Sequence, residues 1–220
     1  MKTTQKTQRL TVSAVMLALS TVLAVVCEFI PFLNLPFGGG FTVASMLPIV
    51  LVSYMYGIRW GLFTSFTYSC IQVIISLIMG KTVLALFTPS SDDFMGIGVA
   101  IAVVLIDYIL AYTVLGLGGI FRSIFKNKIA AIVLGVVLAL SLRYICHIIS
   151  GYIFYGAWAE WFFSQEGFYA IGEKILANFS GKGLALLYSV FYNGLYMIPE
   201  IVITSIAATA VSNISYIKKY

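Results

Sequence analysis

The sequence predicts an all-α integral membrane protein with six transmembrane helices, built as a single domain over residues 1–220. Of the 220 residues, 61% are hydrophobic and only 10% are charged. The mean hydropathy of +1.02 indicates more apolar surface than a soluble globular protein needs. Apolar windows of about 20 residues, the length of a membrane-spanning helix, recur along the chain between short polar segments.

Six apolar stretches define the predicted helices. The first stretch follows a basic start, and it is long enough to be retained as a spanning helix rather than removed as a signal peptide. A basic turn at residues 122–128 separates the fourth and fifth stretches, and a longer polar connection at 156–183 precedes the sixth. The predicted helices cover approximately residues 10–29, 41–56, 60–80, 96–121, 129–155 and 184–211.

Lysine and arginine are distributed unevenly between the two ends of the predicted bundle. Six spans place both termini on one side, which carries nine basic residues: Lys2, Lys6, Arg9, Arg59, Arg122, Lys126, Lys128, Lys218 and Lys219. The other side carries three: Lys81, Lys174 and Lys182. Because short loops rich in Lys and Arg stay in the cytoplasm, both termini are predicted to be cytoplasmic. The net charge therefore indicates topology, and no nucleic-acid partner is expected.

Few residues in this sequence suit a metal centre or an enzyme site. The cysteines Cys27, Cys70 and Cys146 are isolated, and with one histidine they form no zinc or haem pattern. The glycine run at 38–40 lacks the Lys-Ser/Thr of a phosphate-binding loop. No G-x-S-x-G turn is present for a hydrolase nucleophile. We therefore expect no metal, no cofactor and no enzymatic activity.

Polar residues inside the apolar stretches mark the predicted site, because an ionisable side chain at the bilayer centre costs about 2.5–3.5 kcal/mol. Asp107, His147 and Asn193 lie about eight to eleven residues from the outer ends of the last three helices, which places them at one depth, roughly 12–17 Å below the outer surface. Three aromatic residues are predicted above this layer: Tyr155, Trp158 and Tyr188. The sequence thus predicts a pocket that opens outward.

The chemistry of this layer suits a flat ligand that is cationic or rich in nitrogen. A carboxylate neutralises positive charge, and aromatic faces stack on rings or make cation–π contacts. The amide of Asn193 and the imidazole of His147 can each hydrogen-bond to heteroatoms. Gly151, one turn beyond His147, has no side chain and would let a flat ligand approach the helix backbone.

Each polar residue also has a structural interpretation that the sequence leaves open. Asp107 could pair with Arg143, and Glu200 could form a structural ion pair with the same arginine. His147 could be a hydrogen-bonded core residue, and Asn193 could join two helices. The aromatic residues could instead belong to a belt at the membrane surface.

Three segments carry a family resemblance. They read Arg143-Tyr144-x-x-His147-x-x-Ser150-Gly151-x-x-Phe154-Tyr155-Gly156, Tyr188-Ser189-x-x-Tyr192-Asn193-x-x-Tyr196-x-x-Pro199-Glu200, and Asp107-Tyr108-x-Leu110-Ala111-Tyr112-x-x-Leu115-Gly116. With these segments the chain resembles the thiamine-specific substrate-binding subunits (S-components) of energy-coupling factor transporters. The resemblance covers nearly the whole chain.

The resemblance implies a role for each matching position. It implies an acidic site residue at Asp107 with Tyr108 beside it, and an aromatic wall at Tyr155 to which Trp158 could add. It implies further ligand contacts from His147, Gly151, Tyr188 and Asn193. Relatives carry tryptophan at the position of Tyr155, and some carry glutamate at that of Asp107. The aromatic residue expected on the first outer loop is either Phe37 or Phe41.

The resemblance also implies how the protein works. It would capture thiamine outside a bacterial cell, in the cytoplasmic membrane, and dock on a transmembrane coupling subunit that operates with two ATP-binding subunits. The small residues Ala14 and Ala18, spaced one turn apart, could form the docking face. Two alternatives are a proton-coupled carrier in which Asp107 or Glu200 titrates, and an S-component for another vitamin.

Overall fold

The computed structural model describes residues 2–35 and 39–220, and the regular elements within these ranges are helices. The six principal helices are α1 (Lys2–Glu28), α2 (Leu47–Tyr56), α3 (Ile58–Ile78), α4 (Ile97–Ser123), α5 (Lys128–Phe154) and α6 (Gly181–Val211). Shorter helical pieces occupy the connections: Pro31–Leu33, Thr82–Phe87, Gly156–Trp158, Ala159–Phe163, Glu166–Phe168, Tyr169–Asn178 and Ser215–Lys218. The predicted fold class, an all-α membrane protein, is confirmed.

Five helices of the described ranges, α1 and α3–α6, are long and apolar enough to cross a membrane. The 21 residues of α3 extend about 32 Å, which matches the roughly 30 Å of a bilayer core. The ten residues of α2 extend only about 15 Å. The irregular segment 41–46 directly precedes α2, and we call it the strap.

The second helix does not begin near residue 41, as the apolar pattern predicts, but at Leu47. Ala44 has a φ of +56°, which lies outside the range of a right-handed helix. Pro48 lies in the first turn of α2, where the missing backbone N–H is harmless. In a helix that began at 41 this proline would have interrupted the hydrogen bonding, so it was the sequence signal for the later start.

The fourth helix changes its winding along its length. Its successive segments are α-helical Ile97–Val103, π-helical Val104–Leu110, α-helical Ala111–Thr113 and 3₁₀-helical Val114–Ser123. π-helical turns are rare and occur often at functional sites. Here the π-helical segment carries Asp107 and Tyr108, so two predicted site residues lie on the wider winding.

Local sequence accounts for two other helix starts. Asn127 caps α5, because its side-chain oxygen accepts hydrogen bonds from the backbone N–H groups of Ile129 (3.0 Å) and Ala130 (3.2 Å). α1 begins at Lys2, before the apolar stretch predicted from residue 10, because the polar residues of its first turns also adopt helical geometry.

A set of glycines lets the helices touch at the end of the bundle that holds the termini. We call it the glycine junction; its members are Gly61, Gly116, Gly118, Gly119 and Gly135. A methyl group on Gly135 of α5 would overlap the carbonyl oxygen of Gly118 of α4. Ser53 of α2 joins this contact, because its hydroxyl donates to the Gly116 carbonyl (2.5 Å) and accepts from the Gly119 N–H (3.0 Å). The backbones of α2–α5 are therefore in direct contact here.

Candidate functional site

At the opposite end, the helices diverge around a cavity of about 630 Å³. Its wall is formed by α1, α3, α4, α5 and α6 together with the strap. Cavities of about 300–1,000 Å³ are typical of small-molecule sites. Of the predicted site residues, the following line this cavity: Asp107, Tyr108, His147, Gly151, Tyr155, Tyr188 and Asn193.

Asp107 is the centre of a hydrogen-bonded network in the cavity wall. Its Oδ1 lies 2.8 Å from Nδ1 of His147, and its Oδ2 accepts a hydrogen bond from the Ser150 hydroxyl at 2.5 Å. Both donors come from α5, one turn apart, while the carboxylate comes from the π-helical segment of α4. This contact replaces the alternative pairing of Asp107 with Arg143. The carboxylate is thus fixed in orientation while still facing the cavity.

Asn193 connects α6 to α5 beneath the same wall. Its Nδ2 donates to the backbone carbonyl oxygens of His147 (3.2 Å) and Ser189 (2.8 Å), and its Oδ1 accepts from the Tyr196 hydroxyl at 2.5 Å. The structure therefore brings Asp107, His147 and Asn193 together around one imidazole. Asn193 joins two helices and lines the cavity at once, so the two interpretations of this residue are compatible.

Tyrosines form the aromatic side of the cavity. Tyr188 and Tyr192 of α6 are stacked, with ring centroids 5.6 Å apart and an interplanar angle of 26°. Tyr196 meets Tyr192 edge to face at 6.2 Å. Across the cavity, the hydroxyl of Tyr108 lies 3.2 Å from that of Ser76.

Trp158 is placed differently from the prediction. It is 39% exposed, packs edge to face on Trp161 at 5.7 Å and is not among the described residues that line the cavity. After Tyr155, which follows the last residue of α5, the chain forms the 3₁₀ turn Gly156–Trp158, and Trp158 at its end lies outside the cavity. The sequence offered only the three-residue spacing between the two aromatics, which does not reveal this turn.

Gly151 serves close packing as well as the cavity surface. A methyl group there would overlap the hydroxyl of Ser189 and come within 3.2 Å of the Asn193 amide nitrogen. The absence of a side chain thus lets α5 and α6 approach each other where both carry site residues. Of the two candidates for an outer-loop aromatic, Phe41 lines the cavity, and Phe37 lies outside the described residues.

Two buried charged residues lie deeper and do not form the expected ion pair with each other. Arg143 lies over the Tyr112 ring at 4.3 Å and donates from Nη1 to the Met46 sulfur at 2.8 Å. The Glu200 carboxyl group instead accepts hydrogen bonds from Thr42 and Thr204. The apolar pattern did not reveal that both residues contact the strap, because it predicts a helix for residues 41–46.

The rim of the cavity is charged. Glu28 at the end of α1 forms an ion pair with Lys81, and Asp93 also reaches the cavity. The rim and wall carry the carboxylates of Glu28, Asp93 and Asp107, against the cations of Lys81 at the rim and Arg143 in the wall. Within the described residues, no cluster of three or more metal-ligating side chains occurs. The arrangement favours a cationic ligand that enters past acidic groups.

Ala14 and Ala18, the residues predicted to dock a partner, lie on the outer face of α1. Both are exposed, and the same face exposes Val15 and Leu19. They are not among the described residues that line the cavity, to which α1 contributes Ala24, Cys27 and Glu28. This surface is separate from the candidate ligand site.

Comparison with known proteins points in one direction. The family model described as thiamine transporter protein (Thia_YuaJ) matches residues 10–165. The thiamine transporter ThiT of Bacillus subtilis (strain 168) is 28% identical over 202 residues, covering 86% of this chain and 84% of that protein.

A solved structure has a similar fold. That of ThiT from Listeria monocytogenes superposes with a TM-score of 0.56 at 17% identity, and the match covers 92% of this chain and 96% of the other. At this identity the likeness concerns the fold.

Proposed function

This chain belongs to the thiamine transporter protein (Thia_YuaJ) family, and from that premise we propose that it is a subunit that captures thiamine in the cavity described above. It is a multi-pass protein of the bacterial cell membrane. A transporter binds its substrate and releases it unchanged, so we propose no catalytic role for any residue of the site. The resemblance to the thiamine-specific subunits is thereby confirmed at the level of the family.

The observation that carries the proposal is the fixed carboxylate of Asp107 beside a wall of tyrosines. Thiamine consists of a positively charged thiazolium ring linked to an aminopyrimidine ring. A carboxylate held by His147 and Ser150 needs no reorganisation when the cation arrives, which favours tight binding. Flat tyrosine faces suit both heteroaromatic rings.

Each predicted site residue that lines the cavity then has a proposed role. Asp107 complements the positive charge, and Tyr155 with Tyr108 provides stacking surface. Tyr188, His147 and Asn193 supply hydrogen bonds to the heteroatoms of the ligand, and Gly151 contributes to the cavity wall where α5 and α6 pack closely. Trp158, which lies outside the cavity, is left out of this set.

We further propose that transport depends on an energy-coupling factor complex, with a transmembrane coupling subunit and two ATP-binding subunits. The exposed pair Ala14 and Ala18 supports this, because small residues on a free helix face let another helix approach closely. The excess of basic residues at the terminal end supports an orientation with both termini in the cytoplasm. The cavity would then open outward.

Thiamine titration of the purified protein tests the capture step. Intrinsic fluorescence should report saturable binding without ATP. Asp107→Asn and Asn193→Ala should each weaken it by about tenfold or more, because the first removes the negative charge and the second removes a buried amide. A folded wild-type protein that does not respond to thiamine would overturn the assignment.

Uptake in cells tests the coupling. Deletion of the ATP-binding subunits should abolish thiamine uptake while binding to the isolated subunit persists. Uptake that continues after this deletion, and that collapses with the proton gradient, would instead identify a proton-coupled carrier.

A further inference from the structure

The strap (Phe41–Met46) forms part of the cavity wall without helical hydrogen bonding. Four of its residues line the cavity: Phe41, Thr42, Ser45 and Met46. Backbone N–H groups at membrane depth require partners inside the protein, and a helix provides these internally whereas an irregular segment does not. The groups that hold the strap therefore determine where this part of the wall stands.

Glu200 of α6 provides the strongest of these contacts. It is 1% exposed, and its Oε2 accepts from the Thr42 backbone N–H at 2.5 Å and from the Thr42 hydroxyl at 2.9 Å. Its Oε1 lies 3.0 Å from the same hydroxyl, which also lies 2.6 Å from that of Ser45. One carboxyl group thus binds both the backbone and the side chain of a single strap residue.

Other helices hold the strap through sulfur. The Val43 N–H points to the sulfur of Cys27 on α1 at 3.3 Å, and Arg143 on α5 donates to the sulfur of Met46. Sulfur is a weak hydrogen-bond acceptor, so these contacts add less than the oxygen contacts of Glu200. At the start of the strap, the Phe41 N–H donates to the Leu33 carbonyl oxygen at 3.0 Å. Loss of Glu200 would leave residues 42–46 with the weaker sulfur contacts to neighbouring helices.

The backbone of the strap is itself strained. Ala44 adopts a φ of +56°, in the left-handed region that residues with a side chain seldom occupy. Such a conformation persists only where the surrounding structure imposes it. Since Ala44 lies between the Thr42 and Ser45 contacts, the strap is held in place rather than relaxed.

We propose that Glu200 is a positioning residue for the ligand cavity: it fixes the strap against α6 and thereby slows the escape of bound ligand. Glu200 is not among the described residues that line the cavity, so its effect on binding passes through Thr42. The inference rests on the proposed function for the identity of the ligand, and on the hydrogen bonds for the anchoring.

Two threonines make a matched test possible. The hydroxyls of Thr42, on the strap, and Thr204, on α6, both contact Oε1 of Glu200, at 3.0 and 3.1 Å. Thr42→Val and Thr204→Val each remove one hydroxyl at nearly constant volume, but only the first loosens the strap. Glu200→Gln weakens the contact from the other side without altering a cavity-lining residue.

The experiment uses the full-length purified protein and has two readouts. Thiamine dissociation is followed by stopped-flow fluorescence, and hydrogen–deuterium exchange is measured on a peptide that covers residues 39–46. In Glu200→Gln and Thr42→Val, dissociation should become about tenfold faster while association changes less than about threefold, and the peptide should exchange faster. Thr204→Val should stay within about twofold of wild type in both readouts.

The opposite results are equally clear. Equal effects of the two threonine variants would show that Glu200 only stabilises α6, and unchanged dissociation with faster exchange would show that the strap does not retain ligand. Either would overturn the proposal. If the wild type does not bind thiamine, the proposed function fails, and the exchange data on the two threonine variants alone decide whether Glu200 anchors the strap.

Discussion

The two ends of the bundle solve the problem of packing helices in opposite ways. At the glycine junction the backbones of α2–α5 touch, and polar groups such as the Ser53 hydroxyl serve only to join backbones. At the cavity the backbones stand apart, and the space between them is bounded by hydrogen-bonded side chains and by the strap. The helices leave almost no space between them at the glycine junction, whereas at the other end they surround the cavity.

From this difference we expect that stability and ligand affinity can be changed separately in this molecule. Changes at the glycine junction meet backbone atoms that cannot move, so they should lower the free energy of unfolding. Changes at the cavity remove polar partners that face open space, so they should lower affinity with less effect on folding. Substitutions at the two ends of the bundle should therefore differ in whether they change stability or thiamine binding.

The largest effect is expected from Gly135→Ala. Its methyl group would overlap the Gly118 carbonyl oxygen, and backbone on both sides leaves no flexible side chain to yield. We expect a destabilisation of about 3 kcal/mol or a failure to fold, measured as the thermal unfolding temperature in detergent. Gly98→Ala is the control, because a methyl group there meets nothing within 4 Å. Equal melting temperatures for the two variants would show that the close backbone contact at the glycine junction does not limit stability.

The next effect is expected from Ser150→Ala, at a fully buried residue behind the cavity wall. The change removes one of the two donors that orient the Asp107 carboxylate. Hydrogen bonds to charged groups contribute about 1.5–3 kcal/mol, so thiamine affinity should fall by about tenfold or more, measured by titration. The control is Ser65→Ala, a buried serine of α3 whose hydroxyl has no partner among the described residues. A similar loss of affinity in both variants would contradict a specific role for Ser150.

A smaller effect should separate the two neighbouring aromatics. Tyr155 lines the cavity whereas Trp158 lies outside it, so Tyr155→Leu should weaken thiamine binding several-fold and Trp158→Leu should leave it unchanged. Aromatic contacts beyond area burial are worth about 0.5–1.5 kcal/mol. Isothermal titration of both variants measures this. A larger loss from Trp158→Leu would mean that this tryptophan reaches the ligand after all.

The smallest effect concerns the rim. Asp93→Asn removes one negative charge at the cavity entrance, and it should slow thiamine association about two- to threefold at low ionic strength. The difference should vanish near 1 M salt, where the Debye length is about 3 Å. Glu173→Gln, on the exposed connection before α6, serves as the charge-matched control. A dissociation rate that changes instead would mean that Asp93 contacts the bound ligand.

The sequence predicted the fold class and much of the cavity, because both follow from simple physical rules. Long apolar stretches require helices, and the equal depths of Asp107, His147 and Asn193 anticipated that these side chains would meet. What it did not predict is irregular backbone. The strap was placed in α2, since apolar residues alone do not show where a helix begins.

The sequence also did not predict the hydrogen-bond partners of individual polar residues. Spacing along α5 put Arg143 and His147 on one face, but it could not tell that Asp107 would contact His147 and Ser150 rather than the arginine. Glu200 likewise bonds to Thr42, more than 150 positions away in the chain. Such choices depend on distances between helices of a few ångströms, which no periodicity encodes.

The π-helical segment Val104–Leu110 has a consequence for how sequences of this kind are aligned and edited. An α-helix turns by about 100° per residue, so a segment with i→i+5 bonds accommodates one residue more than the α-helix that would join the same two ends. In a chain with one residue fewer in this segment, the two flanking parts of the helix would keep their packing against neighbouring helices. The acidic residue would then point away from the cavity. A one-residue gap at this place in an alignment therefore signals a changed binding site within an unchanged bundle.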